Sequence, residues 1–192
     1  MADTGAEDWF PVLEGPYFDF DNESDEDPEL TGVPAAFVAR LRDMIPTWRS
    51  LGLTDDDTVG CFEDGRLRIG VDIGDVEAKS SVGFLRVEVS DHNWQGGWVS
   101  PSRGITQATM AEANPKDPDG GPITDVEEGV DAAVRWTEKQ LRRPIRRYLW
   151  RDEGRVVASS WRLEDSGREL VVSGAPQLRR DTSPTESTLV RG

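Results

Sequence analysis

Thr58-Val-Gly-Cys-Phe-Glu-Asp64-Gly65-Arg-Leu-Arg-Ile-Gly-Val-Asp-Ile73 is the stretch that decides the fold. Asp64-Gly65 is a two-residue turn signal, because both residues tolerate the positive φ that a tight hairpin demands. After it, Leu67, Ile69, Val71 and Ile73 alternate with Arg66, Arg68, Gly70 and Asp72. A period of two marks a strand with one face on the core and one wetter face. The same period returns at Leu85, Val87 and Val89, which alternate with Phe84, Arg86, Glu88 and Ser90. Three consecutive strand signals with a hairpin among them indicate an antiparallel sheet.

Helical periodicity flanks this sheet on both sides. Pro34 opens an amphipathic run from Val33 to Leu51 in which Phe37, Leu41, Met44 or Ile45, and Trp48 recur at helical spacing. Proline suits the first helical turn, Pro46 should kink or end the helix, and Gly52 is a natural stop. A second helix is announced by Thr124-x-x-Glu127, a capping-box pattern, followed by Val126, Val130, Ala133 or Val134, Thr137 and Leu141. Pro144 should break it, with a last turn through Leu149. Arg155–Leu163 and Arg168–Ser173 read as a further hairpin around Glu164-Asp-Ser-Gly167. Residues 91–122, with several prolines and Trp94-Gln-Gly-Gly-Trp98, read as irregular.

The order is α-β-β-β-loop-α-β-β, which predicts an α+β fold: an antiparallel sheet of about five strands with two helices on one face. This element order is similar to that of small acidic bacterial secretion chaperones, at fold level and without a shared motif. The expected organisation is an acidic N-terminal arm over 1–31, one α+β domain over 32–175 and a flexible tail over 176–192.

The chain has 192 residues and a formal charge of −15. Residues 1–31 hold eleven acids and no Lys or Arg, so the arm alone carries −11. Asp19–Glu29 has seven acids in eleven residues, a self-repelling block that favours a solvated segment. Opposite in sign, Arg135–Arg155 holds eight basic residues against three acids. Its centre, Arg142-Arg143-Pro-Ile-Arg146-Arg147-Tyr-Leu-Trp-Arg151, is read either as cations at a helix C-terminus or as a patch for an anionic partner, the chain's own arm included. Contact with the arm would have to be close, because salt screens exposed charges beyond about 8–10 Å.

Several chemistries lack their residues. One cysteine, Cys61, excludes an internal disulfide framework, and one histidine, His92, leaves little for nucleophilic catalysis. An EF-hand loop from Asp19 would need Gly and Glu where Ser24 and Leu30 stand; one from Asp55 meets Arg66 in its twelfth place. No phosphate-loop spacing occurs. Cys61, alternating with Val59, is expected inward as a small apolar residue. The 37 acids make some close carboxylate pair inevitable, so such a pair carries no information. Net acidity argues against nucleic acid, whose binding rests on cationic contacts to phosphates. No secretory signal or membrane-length apolar run is present, which points to a cytoplasm.

The function these residues suggest is a non-enzymatic protein-binding module of adaptor, chaperone or immunity type in a bacterial-type cytoplasm, with no cofactor and no metal. The contact residues nominated are Trp94 and Trp98, as aromatic anchors in a glycine-flexible loop, and Arg142, Arg143, Arg146, Arg147 and Arg151. The alternative is a small-ligand protein or enzyme using the 91–122 loop as a lid.

Overall fold

The computed structural model describes residues 30–54, 57–99, 119–174 and 182–191. Asp64 and Gly65 take φ of 51° and 70°, so the expected two-residue turn joins β1 (Thr58–Glu63) to β2 (Arg66–Asp75). β3 (Ser80–Val89) pairs antiparallel with β2, setting Val87 opposite Ile69 and Leu85 opposite Val71. The alternating apolar residues of both strands therefore share one face, and all are buried.

Gly32–Asp43 forms α1 and Ile45–Ser50 forms α2. They divide at Met44, with Pro46 in the first turn of α2, where its missing N–H removes no helical hydrogen bond. The entry to α1 is held from a distance: the Val33 N–H donates to Asp91 Oδ1 at 3.2 Å. Gly32 has φ 60°, and a Cβ there would lie 2.6 Å from the same Asp91 oxygen, so this approach needs glycine.

Val126–Leu141 forms α3, capped by Asp125, whose side chain accepts from the Glu128 N–H at 2.9 Å. The cap thus falls one residue after Thr124, and the exposed Val126 drops out of the buried stripe. Val130, Ala133, Val134, Thr137 and Leu141 remain in it. α3 lies against α1, β3 and β4, and Arg40 Nε of α1 meets Asp131 Oδ1 of α3 at 3.3 Å.

Residues 93–99, expected to be irregular, are the strand β4 (Asn93–Val99), and β5 (Gly120–Pro122) pairs with it. Glycine hides this strand from propensity, yet packing demands it. A Cβ at Gly96 would sit 2.3 Å from the Trp136 ring of α3, so the helix seats its indole against bare backbone. Residues 100–118, the remainder of the expected loop, lie outside the described residues. The first sheet is therefore antiparallel with the order β1-β2-β3-β4-β5.

A second, four-stranded antiparallel sheet was not foreseen. It comprises β6 (Ile145–Asp152), β7 (Arg155–Leu163), β8 (Glu169–Gly174) and β9 (Glu186–Arg191), in the order β8-β7-β6-β9. The last helical turn expected through Leu149 is strand instead. Pro144 ends the helix, and Glu153-Gly154, at φ 47° and 79°, makes the hairpin turn from β6 to β7. Residues 186–191, assigned by composition to a flexible tail, form the edge strand beside β6. Buried side chains of both sheets and all three helices belong to one contiguous apolar cluster. Among the described residues, no helix is long and apolar enough to cross a membrane.

Candidate functional site

β4 carries both nominated tryptophans, and its pairing with β3 turns them inward. Trp94 is 8% and Trp98 5% exposed. Trp94 packs on Trp136 with ring centroids 5.9 Å apart. The Trp98 N–H donates to Gln140 Oε1 at 3.0 Å, and its carbonyl accepts from Arg168 Nη2 at 3.1 Å. These are core residues with satisfied polar ends, not rings presented from a loop. The correction follows from strand alternation: Trp94 and Trp98 are four residues apart, so they share a face, and that face is the one α3 covers.

Each of the five nominated arginines is paired with an acid of the domain. Arg142 is the C-cap of α3 and gives Nε and Nη2 to Glu138 Oε1, at 3.2 and 2.8 Å. Arg143 grips Asp165 with Nε and Nη2 at 2.8 and 2.7 Å. Hydrogen bonding from Arg143 holds the Asp165 carboxyl below its ordinary range. Arg146 and Arg147 are successive on β6 and so point to opposite faces of the second sheet. Arg146 pairs with Glu164 at 2.7 Å, and Arg151 meets Glu186 at 3.2 Å.

Arg147 is buried. Its Nη1 donates to Asp75 Oδ2 at 3.0 Å, and its Nη2 to Glu77 at 2.7 Å. Asp75 Oδ2 also accepts from the Trp161 N–H at 2.8 Å, and Oδ1 from the Ala78 N–H at 3.0 Å. Asp75, 3% exposed, thus ties the end of β2 to β6 and β7, joining the two sheets. The arginines expected to serve an anionic partner thus each carry an ion pair with an acid of the domain. Residues 1–29 of the arm lie outside the described residues.

A second charged group sits on the wetter face of the first sheet. Glu88 receives Arg66 Nη1 at 3.2 Å, Arg68 Nε at 3.2 Å and Arg86 Nη2 at 2.9 Å. Burial pushes the Glu88 carboxyl up, but the charges of Arg68 and Arg86 and their hydrogen bonds outweigh it, leaving it below its ordinary range. Cys61 is half-buried and paired in register with Arg68, so it lies on this charged side rather than inward as expected. His92 is exposed in the turn before β4, and its neighbour Asp91 is used as the distant cap of α1. No group of three or more His, Cys, Asp or Glu among the described residues is placed to hold a metal ion.

The feature that the sequence did not announce is a cleft of ≈ 480 Å³ lined by Ser50, Leu51, Arg142, Leu189, Val190 and Arg191. It lies where the ends of α2 and α3 meet the edge strand β9. Leu189 is 48% exposed. Burial lowers the pKa of the Arg191 guanidinium, against the opposing pull of the Asp57 charge. The only sequence signal for this region is Thr188-Leu-Val190, a short run of strand formers inside a segment whose Pro and Ser content suggests a tail. No family model, characterised protein or solved structure matches this chain.

Proposed function

We propose that the protein is a non-enzymatic protein-binding module, of the kind that serves as an adaptor, chaperone or immunity protein, and that its partner docks at the β9 edge and the adjoining cleft. The observation that carries this reading is the composition of that cleft. Leu51, Leu189 and Val190 give it an apolar floor, two arginines give it charge, and it opens beside a strand with one neighbour among the described residues. An edge strand offers unpaired backbone donors and acceptors, and an extended segment of another protein can add to it, with side chains selecting the partner. Among the described residues, the lining includes no His, Cys, Asp or Glu to act as base or nucleophile near neutral pH, which favours binding over chemistry.

The test is a photo-crosslinking amino acid placed at Leu189 and, in a control protein, at Val76, which is 90% exposed in the β2–β3 connection. Incubated with extract of the source cells, the Leu189 protein is expected to capture a discrete polypeptide that the Val76 protein does not. Identical products from both positions would show that the β9 edge is not the docking surface.

A further inference from the structure

Arginine in this chain meets carboxylates in a repeated way. Arg142, Arg143 and Arg146 each present Nε and Nη2, the side-on edge of the guanidinium, to Glu138, Asp165 and Glu164. That edge matches carboxylate geometry and makes charge-assisted hydrogen bonds. In Arg191 the same two nitrogens, Nε and Nη2, are buried and find no hydrogen-bond partner among the described residues. Leaving buried donors of a charged group unmatched is costly, and native proteins seldom do so without a use. Arg191 also lines the cleft.

We infer that the cleft is a carboxylate-binding subsite in which Arg191 grips an acidic side chain of the docked partner segment, while Leu51, Leu189 and Val190 receive its apolar neighbours. The partner chemistry this selects is an extended peptide in which acidic and apolar residues alternate. Arg142, partly committed to Glu138, adds positive charge at the rim; Asp57 subtracts some near Arg191 and disfavours an unpaired second acid there. This inference rests on the docking reading above, but it can fail separately.

Two blocked, fluorescently labelled nine-residue peptides serve as probes in anisotropy titrations with the full chain. In one, valine alternates with glutamate; in the other, glutamine replaces each glutamate. The glutamate peptide is expected to bind at least tenfold more tightly, and its advantage to shrink in 0.5 M salt. Arg191→Leu is expected to bring the two affinities within about twofold. Should that variant not fold, Arg191→Lys, which keeps charge but loses the fork, is expected to reduce the preference at least threefold. Leu189→Asp is expected to weaken both peptides. Equal binding of the two peptides to the native protein, with both lost in Leu189→Asp, overturns the carboxylate assignment and leaves edge docking standing. A glutamate preference that survives both Arg191 variants also overturns it. Failure of both peptides to bind overturns edge docking together with the inference.

Discussion

Asp75 shows how one side chain can decide which strands meet. Its carboxylate collects the Arg147 guanidinium, the Trp161 indole N–H and a backbone N–H, and both arginine and tryptophan come from the second sheet. Removing one partner of a buried ion pair leaves the other charge desolvated and uncompensated, typically about 3–5 kcal/mol. Asp75→Ala should therefore lower the unfolding free energy in urea by about 3 kcal/mol, the low end of that range because Glu77 still reaches Arg147. Replacing both partners, Asp75→Leu with Arg147→Met, should be less damaging than Asp75→Ala alone. A double variant at least as unstable as the single one would mean that the pair itself, rather than relief of an unmatched charge, sets the energetics. None of this was legible in sequence, because Asp75 and Arg147 are 72 residues apart and each reads as an ordinary surface charge.

At the level of elements, the strands that announced themselves were those with alternating apolar residues and an Asp-Gly turn. β4 did not, although it is as real as its neighbours. Its Gly96 and Gly97 depress strand propensity, and the two differ sharply in what they meet. Gly96→Ala would drive a methyl into the Trp136 ring, and overpacking of this kind removes roughly 1–3 kcal/mol of stability. At Gly97 a methyl finds nothing within 4 Å, so Gly97→Ala should change stability by no more than about 0.5 kcal/mol. Thermal or urea unfolding of the two variants compares them directly, and equal losses would argue that α3 does not press on the strand at Gly96. The arginine-rich segment misled for a related reason. Its charges obscured the period-two alternation of Ile145, Arg147 and Leu149, and the helix before it appeared to continue past Pro144.

For the molecule as a whole, charge pairing links stability to pH. Glu88 binds three arginines from β2 and β3, and its carboxyl in the fold lies below its ordinary range despite the opposing effect of burial. A depressed folded pKa contributes stability that is fully present above the unfolded value, about 4.3 for glutamate, and is lost as pH falls through the folded value, because the unfolded chain binds the proton first. Asp165, held down chiefly by its hydrogen bonds with Arg143, acts in the same direction. Stability should thus decline as the medium is acidified below the ordinary carboxylate range. Glu88→Gln should lower stability at neutral pH and flatten that decline, measured as urea midpoints across an acid series. An unchanged acid slope in Glu88→Gln would show that Glu88 does not carry the linkage.

What the sequence determined by itself was local: the first helical segment opened near Pro34 and divided at Pro46, the turn at Asp64-Gly65, the strands on either side of it, and the concentration of negative charge in the first 31 residues. Each follows from steric limits on a few adjacent φ values, from a repeating apolar period, or from counting charges. The tertiary structure decided the rest: a second sheet closed by residues read as a tail, indoles turned inward, arginines divided among separate acids, and a cleft built from three segments distant in the chain. These are pairings between remote residues. Their free energy depends on which groups are desolvated together, and no window of neighbouring residues contains that information.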